Sequence, residues 1–207
     1  MKKIVITLLV VALLIPNIAF AENAGNVEND TVTRAEFARI VVRSRGFEGI
    51  ISPRLTEFFD VPAEHWASGY IRVAAGLGVI QGNGDGNFRP DDAILVEEAI
   101  AMLMRALGWW QMAIANGGFL VGYFLCAERS GLTNGIDLIV GEYVTPDLLY
   151  ELINNSLDIP LVEIVGRDLG HIMDGTGNTS LKTLRTEFWD NLPVYFDGEN
   201  FIIIETE

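Results

Sequence analysis

The sequence predicts a mainly α-helical domain made of three related helical units, followed by a short β-hairpin region. An amphipathic helical pattern that ends in Gly-apolar-x-x-Gly occurs over 70–82 and recurs 53 residues later, over 123–135. A second helical pattern occurs three times, starting at Thr33, Leu95 and Thr145. Units that recur in this way are typical of repeat folds, in which neighbouring units bury each other's apolar faces.

The start of the chain has the features of a secretory signal peptide. Lys2 and Lys3 precede a largely apolar run over 4–14, and Ala19-Phe20-Ala21 supplies a small-x-small cleavage site. The run is shorter than the roughly 20 apolar residues that a membrane-spanning helix needs. We therefore expect a secreted chain that begins at Glu22 and has no membrane attachment after cleavage; an uncleaved N-terminal anchor is the alternative.

The charge of the chain excludes two classes of partner. The net charge is −14, and it becomes −16 on removal of the leader, which holds two of the 14 basic residues and none of the 28 acidic ones. A field of this sign does not attract nucleic acid or anionic lipid. An anionic polymer would have to be held locally by a few arginines. Cys126 is the only cysteine, and an exported chain without disulfides favours a bacterial surface.

Two of the three recurring helices have strong start signals. Thr33 and Glu36 have the spacing of a capping box, and Thr145 is followed by Pro146 in the first helical turn. Between the two helices of the second unit lies a glycine-rich loop over 83–90, which we interpret as a structural turn. A calcium loop is the alternative, although its first and last ligands would be poor ones.

The last part of the chain changes from helical to strand-like patterning. Residues 193–196 and 201–204 are apolar and flank a turn sequence, Asp197-Gly198-Glu199-Asn200. This pattern predicts a β-hairpin. Because a single hairpin is only marginally stable by itself, we expect it to pack on the helical body or on a partner.

Several motifs resemble those of the S-layer homology family. In chain order they are Thr33-Arg34-Ala35-Glu36-Phe37, Phe59-Asp60-Val61-Pro62, His65-Trp66-Ala67, Tyr70-Ile71, Gly78-Val79-Ile80-Gln81-Gly82 and Gly84-Asp85-Gly86-Asn87-Phe88-Arg89-Pro90. The resemblance covers about residues 31–165. It implies a pseudo-threefold helical module that binds secondary cell-wall polysaccharide, usually pyruvylated, in grooves between repeats. The implied location is secreted, at the cell wall, S-layer or cell surface.

The resemblance also suggests how the chain is divided. We expect a signal peptide over 1–21, a truncated first repeat over 22–57 and a second repeat over 58–110. A degenerate third repeat over 111–165 and a β-rich extension over 166–207 complete the chain.

Five residues are candidates for binding the polysaccharide: Arg34, Glu36, Trp66, Tyr70 and Glu98. A guanidinium can meet a ketal carboxylate with two hydrogen bonds, and aromatic rings can stack on sugar faces. The apolar neighbours of Arg34 define the inner face of its helix. We therefore expect Arg34 near the solvent edge, either in a groove or in a surface ion pair. Trp66 is either a platform for sugar or part of the core.

The equivalents of these residues change in the later units. Val96 takes the place of Arg34 in the second unit, and Pro146 and Leu148 replace both members of the Arg/Glu motif in the third. We therefore expect one good groove rather than three.

No catalytic residue, metal site or cofactor is predicted. With two histidines and one cysteine in the chain, a zinc site is not expected. The expected role is non-enzymatic, with an interaction among surface-layer proteins as the alternative and action on wall glycan as a third reading. The patch over 109–112, which contains Trp109 and Trp110, either packs between units or forms an exposed platform for sugar.

Overall fold

The computed structural model describes residues 31–47, 51–82, 84–163, 171–172, 183–185 and 194–203. The predicted signal peptide lies outside the described residues, as does much of the predicted extension over 166–207. The described part is mainly α-helical, which confirms the predicted fold class. Within it, no helix is both long enough and apolar enough to span a membrane.

Six helices and four short strands follow one another along the described chain. The helices are α1 (Arg34–Ser44), α2 (Ser68–Gly76), α3 (Val96–Ala106), α4 (Trp110–Ala115), α5 (Val121–Ser130) and α6 (Pro146–Ser156). The strands are β1 (Val162–Glu163), β2 (His171–Ile172), β3 (Val194–Phe196) and β4 (Phe201–Ile203).

Three buried backbone segments meet in a closed ring of hydrogen bonds at the centre of the fold. Ile94 donates its N–H to the carbonyl of Val32 at 2.9 Å, and Val144 donates to Ile94 at 2.9 Å. Val32 donates in turn to Val144 at 2.8 Å, so each segment gives one bond and accepts another. Each of the three residues lies two positions before the start of a recurring helix. The ring is the pseudo-threefold arrangement that the sequence motifs implied.

The recurring helices α1, α3 and α6 each begin one residue after the predicted starts, and Thr33 and Thr145 are the predicted caps. Thr33 and Glu36 form a complete capping box at the start of α1. Thr145 accepts a hydrogen bond from the N–H of Leu148 at 3.2 Å, ahead of Pro146. Leu95 has no capping side chain, but Glu98 accepts its N–H at 3.1 Å. Each cap satisfies a backbone N–H that a helix start otherwise leaves without a partner.

The core lies between the recurring helices and α2. It holds the apolar faces that the helical spacing predicted, and its largest fully buried side chains include Phe37, Ile40, Ile71, Phe88, Ile100, Leu103 and Leu152. Cys126 is buried among them, as expected for a small apolar residue.

The helices α4 and α5 form a tight hairpin that the sequence did not predict. Trp109, just before α4, is buried and donates its indole N–H to the carbonyl of Pro160 at 2.8 Å. A Cβ atom added at Gly122 would lie only 1.9 Å from the carbonyl oxygen of Ala113. The absence of a side chain at Gly122 therefore allows the two helices to approach each other.

The predicted C-terminal hairpin is confirmed, and it packs on the helical body. Strands β3 and β4 pair antiparallel with Phe196 opposite Phe201. The side chain of Asn154 in α6 accepts the N–H of Phe196 and donates to its carbonyl, both at 2.8 Å. Arg43 in α1 donates to the carbonyl of Glu199 in the turn at 3.0 Å. A second strand pair, β1 with β2, was not predicted.

The α4–α5 contact gives a testable prediction about stability. We expect Gly122→Ala to lower the free energy of unfolding by about 2 kcal/mol, because the added methyl group collides with backbone. Gly76→Ala is the matched control, since nothing lies within 4 Å of its Cβ position at the end of α2. There the change should raise stability by about 0.5 kcal/mol through helix propensity. Denaturant unfolding followed by circular dichroism measures both; equal midpoints would contradict the close approach of α4 and α5.

Candidate functional site

Arg34, the first residue of α1, is buried between the first and second units. Its side chain donates from Nε to the carbonyl of Phe88 at 2.8 Å, and its guanidinium lies 4.8 Å from the centre of the Phe88 ring. Nη1 forms an ion pair with Glu98. Arg34 is 6% exposed, so the expectation that it lies near the solvent edge was wrong. The loop over 84–90 of the next unit covers the start of α1, and helical periodicity within α1 could not reveal that.

Glu36 and Glu98 occupy equivalent positions but make different contacts. Glu36 accepts hydrogen bonds from the N–H and the hydroxyl of Thr33, both at 2.8 Å, and so caps its own helix. Glu98 accepts the N–H of Leu95 with one oxygen and pairs with Arg34 through the other. Glu98 therefore both caps α3 and connects the first two units.

The ring of backbone bonds fixes which residues are equivalent at the three contacts between units. Arg34 and Glu98 at the first contact correspond to Val96 and Leu148 at the second. At the third contact, the residues that correspond to Arg34 and Glu98 are Pro146 and Glu36. A charged pair is thus available at one contact in three. The second contact has a different polar link, in which Gly141 donates its N–H to Glu97 at 3.0 Å.

Two clefts open on either side of the Arg34–Glu98 pair, and both residues line each of them. The Gln81 cleft has a volume of about 250 Å³ and is also lined by Gln81, Arg105 and Phe119.

The Arg89 cleft has a volume of about 400 Å³ and is also lined by Arg89 and Tyr143. Phe119 is 57% exposed in the Gln81 cleft and Tyr143 is 50% exposed in the Arg89 cleft. The charged pair therefore separates two clefts that each present one open aromatic ring.

The loop over 84–90 holds Arg89 in place with backbone hydrogen bonds. Arg89 has a φ of 59°, in the left-handed region that few non-glycine residues adopt. The two carboxylate oxygens of Asp60 accept the N–H groups of Phe88 and Arg89, at 2.9 and 2.6 Å. The N–H of Asn87 lowers the pKa of Asp85, and an ion pair with Arg89 at 3.2 Å lowers it further.

These contacts support the interpretation of the loop as a structural turn. The carboxylates of Asp60 and Asp85 both bind backbone N–H groups of the loop, so each is already engaged in holding its shape. In the described ranges, no three His, Cys, Asp or Glu side chains come together as a metal site would require.

Trp66 belongs to a separate cluster beside α1. It is 52% exposed, which leaves its ring open to a ligand. The guanidinium of Arg39 lies 5.8 Å from the centre of its ring, and the ring of His65 stacks at the same distance. Tyr70 is half-buried against the core. Neither Trp66 nor Tyr70 lines the two clefts around Arg34, so the structure brings together only Arg34 and Glu98 among the five candidates.

Sequence reasoning did not single out Arg89, Phe119 or Tyr143 as residues of the site. Arg89 lies inside the glycine-rich motif over 84–90, whose pattern predicts only a turn. Tyr143 lies two residues before the cap Thr145, at the position of Ala93 in the second unit. The third unit thus has an aromatic residue where the second unit has alanine. A comparison of the two units at this position could have revealed Tyr143 as a candidate.

Comparison with known proteins identifies the second unit. Residues 57–100 match the family model of the S-layer homology domain. A cell surface protein of Thermoanaerobacter kivui is 33% identical over 137 residues, which are 65% of this chain and 17% of that protein. The middle cell wall protein of Brevibacillus brevis is 31% identical over 156 residues, 71% of this chain and 14% of that protein.

A shorter match has higher identity. An amylopullulanase of Thermoanaerobacterium thermosulfurigenes is 40% identical over 78 residues, 38% of this chain and 4% of the enzyme. The chain thus spans less than a fifth of the length of each of these relatives.

The closed ring of capped helices and the loop over 84–90 define a helical repeat module. Within that module, residues 57–100 are an S-layer homology domain, as the motifs of the second unit predicted. The names of the two longest matches, a cell surface protein and a cell wall protein, support the predicted secreted, cell-surface location.

The Arg34–Glu98 pair gives a prediction that a double-mutant cycle can test. We expect Arg34→Val and Glu98→Leu each to lower the free energy of unfolding by about 3 kcal/mol, because each leaves a charge at the contact without its partner. The double variant, which copies the Val96 and Leu148 of the next contact, should lose about 2 kcal/mol less than the sum of the single losses.

A second cycle on an exposed ion pair serves as the control. Arg89 and Asp85 are joined at 3.2 Å, and about half of each side chain is exposed. For Arg89→Met with Asp85→Leu we expect a coupling below about 1 kcal/mol. Similar coupling energies in the two cycles would show that Arg34 and Glu98 do not hold the units together.

Proposed function

We propose that this chain anchors to the bacterial cell wall, without catalysis, by binding an anionic secondary cell-wall polysaccharide in the clefts around Arg34 and Glu98. The observation that supports this most directly is the Arg34–Glu98 pair between the first two units, with a cleft and an open aromatic ring on each side of it. A pyruvylated sugar is the proposed ligand unit, because its ketal carboxylate suits an arginine and its ring suits an aromatic face.

Within the clefts, Arg89 is the more accessible partner for a carboxylate. About half of its side chain is exposed, and its ion pair with Asp85 is an exposed one that a ligand can replace at little cost. Arg34 is tied to Glu98 and the Phe88 carbonyl, so its proposed part is to shape both clefts and to offer its remaining donors. Glu98 keeps Arg34 in place, and Glu36 supports the start of α1.

The proposed part of Trp66 is that of an outlying platform. Its exposed ring, flanked by Arg39, has the composition expected of a contact for a further sugar of a long polymer. Tyr70, half-buried against the core in the first turn of α2, would support this platform. In this proposal the three units over 22–57, 58–110 and 111–165 form one body, and the ligand binds chiefly at the contact between the first two.

The strongly acidic chain makes the location of its arginines important. A net charge of −14 repels an anionic polymer at long range, so binding requires short-range contacts with a few cationic side chains. Salt screens long-range interactions most strongly, so it weakens this repulsion before it weakens the short-range contacts. A modest rise in ionic strength should therefore weaken binding less than is usual for an arginine-dependent site.

The test measures binding to purified cell walls before and after chemical removal of the non-peptidoglycan polymer. We expect retention on intact walls and loss on stripped walls. Arg89→Gln should weaken binding to intact walls about tenfold, the size expected for a lost charge-assisted hydrogen bond.

Arg72→Gln is the matched control, because Arg72 is exposed on α2 and lines neither cleft. It removes the same charge and should leave affinity within twofold of the original. Full retention on stripped walls would refute the polysaccharide proposal. Retention that instead requires other surface-layer proteins would favour the assembly alternative.

A further inference from the structure

A third cleft lies beyond the Gln81 cleft, near the start of α4. It has a volume of about 290 Å³, and Gln81 and Arg105 line it as they line the Gln81 cleft. Leu77, Trp110 and Ile114 supply apolar walls. We call it the Trp110 cleft. Arg105, Trp110 and Ile114 all lie beyond the family match, which ends at residue 100.

Arg105, in the last turn of α3, is held there by neutral groups. Its Nε donates to the hydroxyl of Tyr123 at 3.0 Å, and its Nη2 donates to the amide oxygen of Gln81 at 3.2 Å. A weaker bond at 3.5 Å joins Nη1 to the carbonyl of Val79, and the ring of Tyr123 lies 5.2 Å from the guanidinium carbon. The side chain is therefore fixed in position before any ligand arrives.

The charge of Arg105 has no carboxylate partner among the residues that the structure describes. The two other arginines of the clefts both have one: Arg34 pairs with Glu98, and Arg89 pairs with Asp85. Because acidic residues outnumber basic ones by 28 to 14 in this chain, an arginine whose partners are all neutral is unusual. A fixed, uncompensated guanidinium beside an open cleft is suited to an incoming carboxylate.

Trp110 provides the second half of a sugar site. It is 38% exposed in the cleft, whereas its neighbour Trp109 is buried and bonded to Pro160. Each interpretation of the patch over 109–112 therefore holds for one of its tryptophans. Trp109 is packed, whereas Trp110 faces the cleft. An indole face with an arginine and a glutamine amide nearby can stack on a sugar ring and bind its carboxylate and hydroxyl groups.

We propose that Arg105 and Trp110 form a subsite for a carboxylate-bearing sugar of the same glycan that binds around Arg34. This inference rests on the proposed function and extends it. The three clefts adjoin one another in a row. Arg34 and Glu98 line both the Arg89 cleft and the Gln81 cleft, and Gln81 and Arg105 line both the Gln81 cleft and the Trp110 cleft. Each cleft offers an exposed aromatic ring and an arginine, so the ligand is a segment of several sugar units rather than a single terminal one.

The experiment uses the full secreted chain and wall fragments that carry their polymer. Arg105→Gln should weaken binding about tenfold and Trp110→Ala about fivefold, since they remove a charge-assisted contact and a stacking face. Arg72→Gln and Tyr150→Ala are the controls, because both residues are exposed and line none of the three clefts. Both controls should stay within twofold of the original affinity.

A second arm tests the carboxylate itself. Carbodiimide activation followed by borohydride reduction converts the carboxylates of the wall polymer into alcohols. Reduced walls should bind the original chain at least tenfold more weakly, whereas Arg105→Gln should lose less on reduction because one carboxylate contact is already absent. Thermal unfolding checks that each variant folds, and Trp110→Ala tests the cleft without removing any hydrogen bond of Arg105.

The outcomes separate this inference from the proposed function. If Arg89→Gln weakens binding while Arg105→Gln and Trp110→Ala match their controls, the Arg105 subsite is refuted and the anchoring proposal stands. If the original chain binds stripped walls as well as intact ones, both are refuted. If the Arg105 and Trp110 variants bind walls normally but no longer retain a purified surface-layer protein, the cleft is a protein-docking site and the sugar subsite is refuted.

Discussion

Three backbone hydrogen bonds, among Val32, Ile94 and Val144, are the constraint on which the rest of the structure depends. Their donors and acceptors are buried, so each must find a partner inside the protein. Each segment donates to one neighbour and accepts from the other, and therefore no unit can satisfy its own groups. The ring also fixes where α1, α3 and α6 begin. From that geometry it follows which side chains meet at each contact between units.

The same ring brings equivalent positions together at the three contacts, and the residues at those positions differ. It places Arg34 opposite Glu98 at the first contact. The equivalent residues are Val96 and Leu148 at the second contact, and Pro146 and Glu36 at the third. Apolar side chains can hold two helices together as well as an ion pair does, and often better. Stability alone therefore does not account for a charged pair at one contact, which agrees with the proposed role of this pair in binding a ligand. The clefts beside it lie where such a ligand could reach.

Features that depend on neighbouring residues were predictable from the sequence, and features that depend on distant ones were not. The capping box at Thr33 and the hairpin turn at Asp197 follow from local spacing, and both are present. The burial of Arg34 depends on a loop more than 50 residues away, which covers the start of α1. The open rings of Phe119 and Tyr143, and the neutral surroundings of Arg105, likewise arise only when separate units come together.

The C-terminal hairpin ties the two ends of the helical body together, since its turn contacts Arg43 in α1 and its first strand is held by Asn154 in α6. This has a consequence for the order in which contacts can form. At about 5–20 residues per second, synthesis separates Val32 from Val144 by on the order of ten seconds. Ile94 becomes available within that interval, but the ring cannot close before Val144 is made, and the hairpin follows later still. The last contacts of α1 therefore form only after the two other units are available.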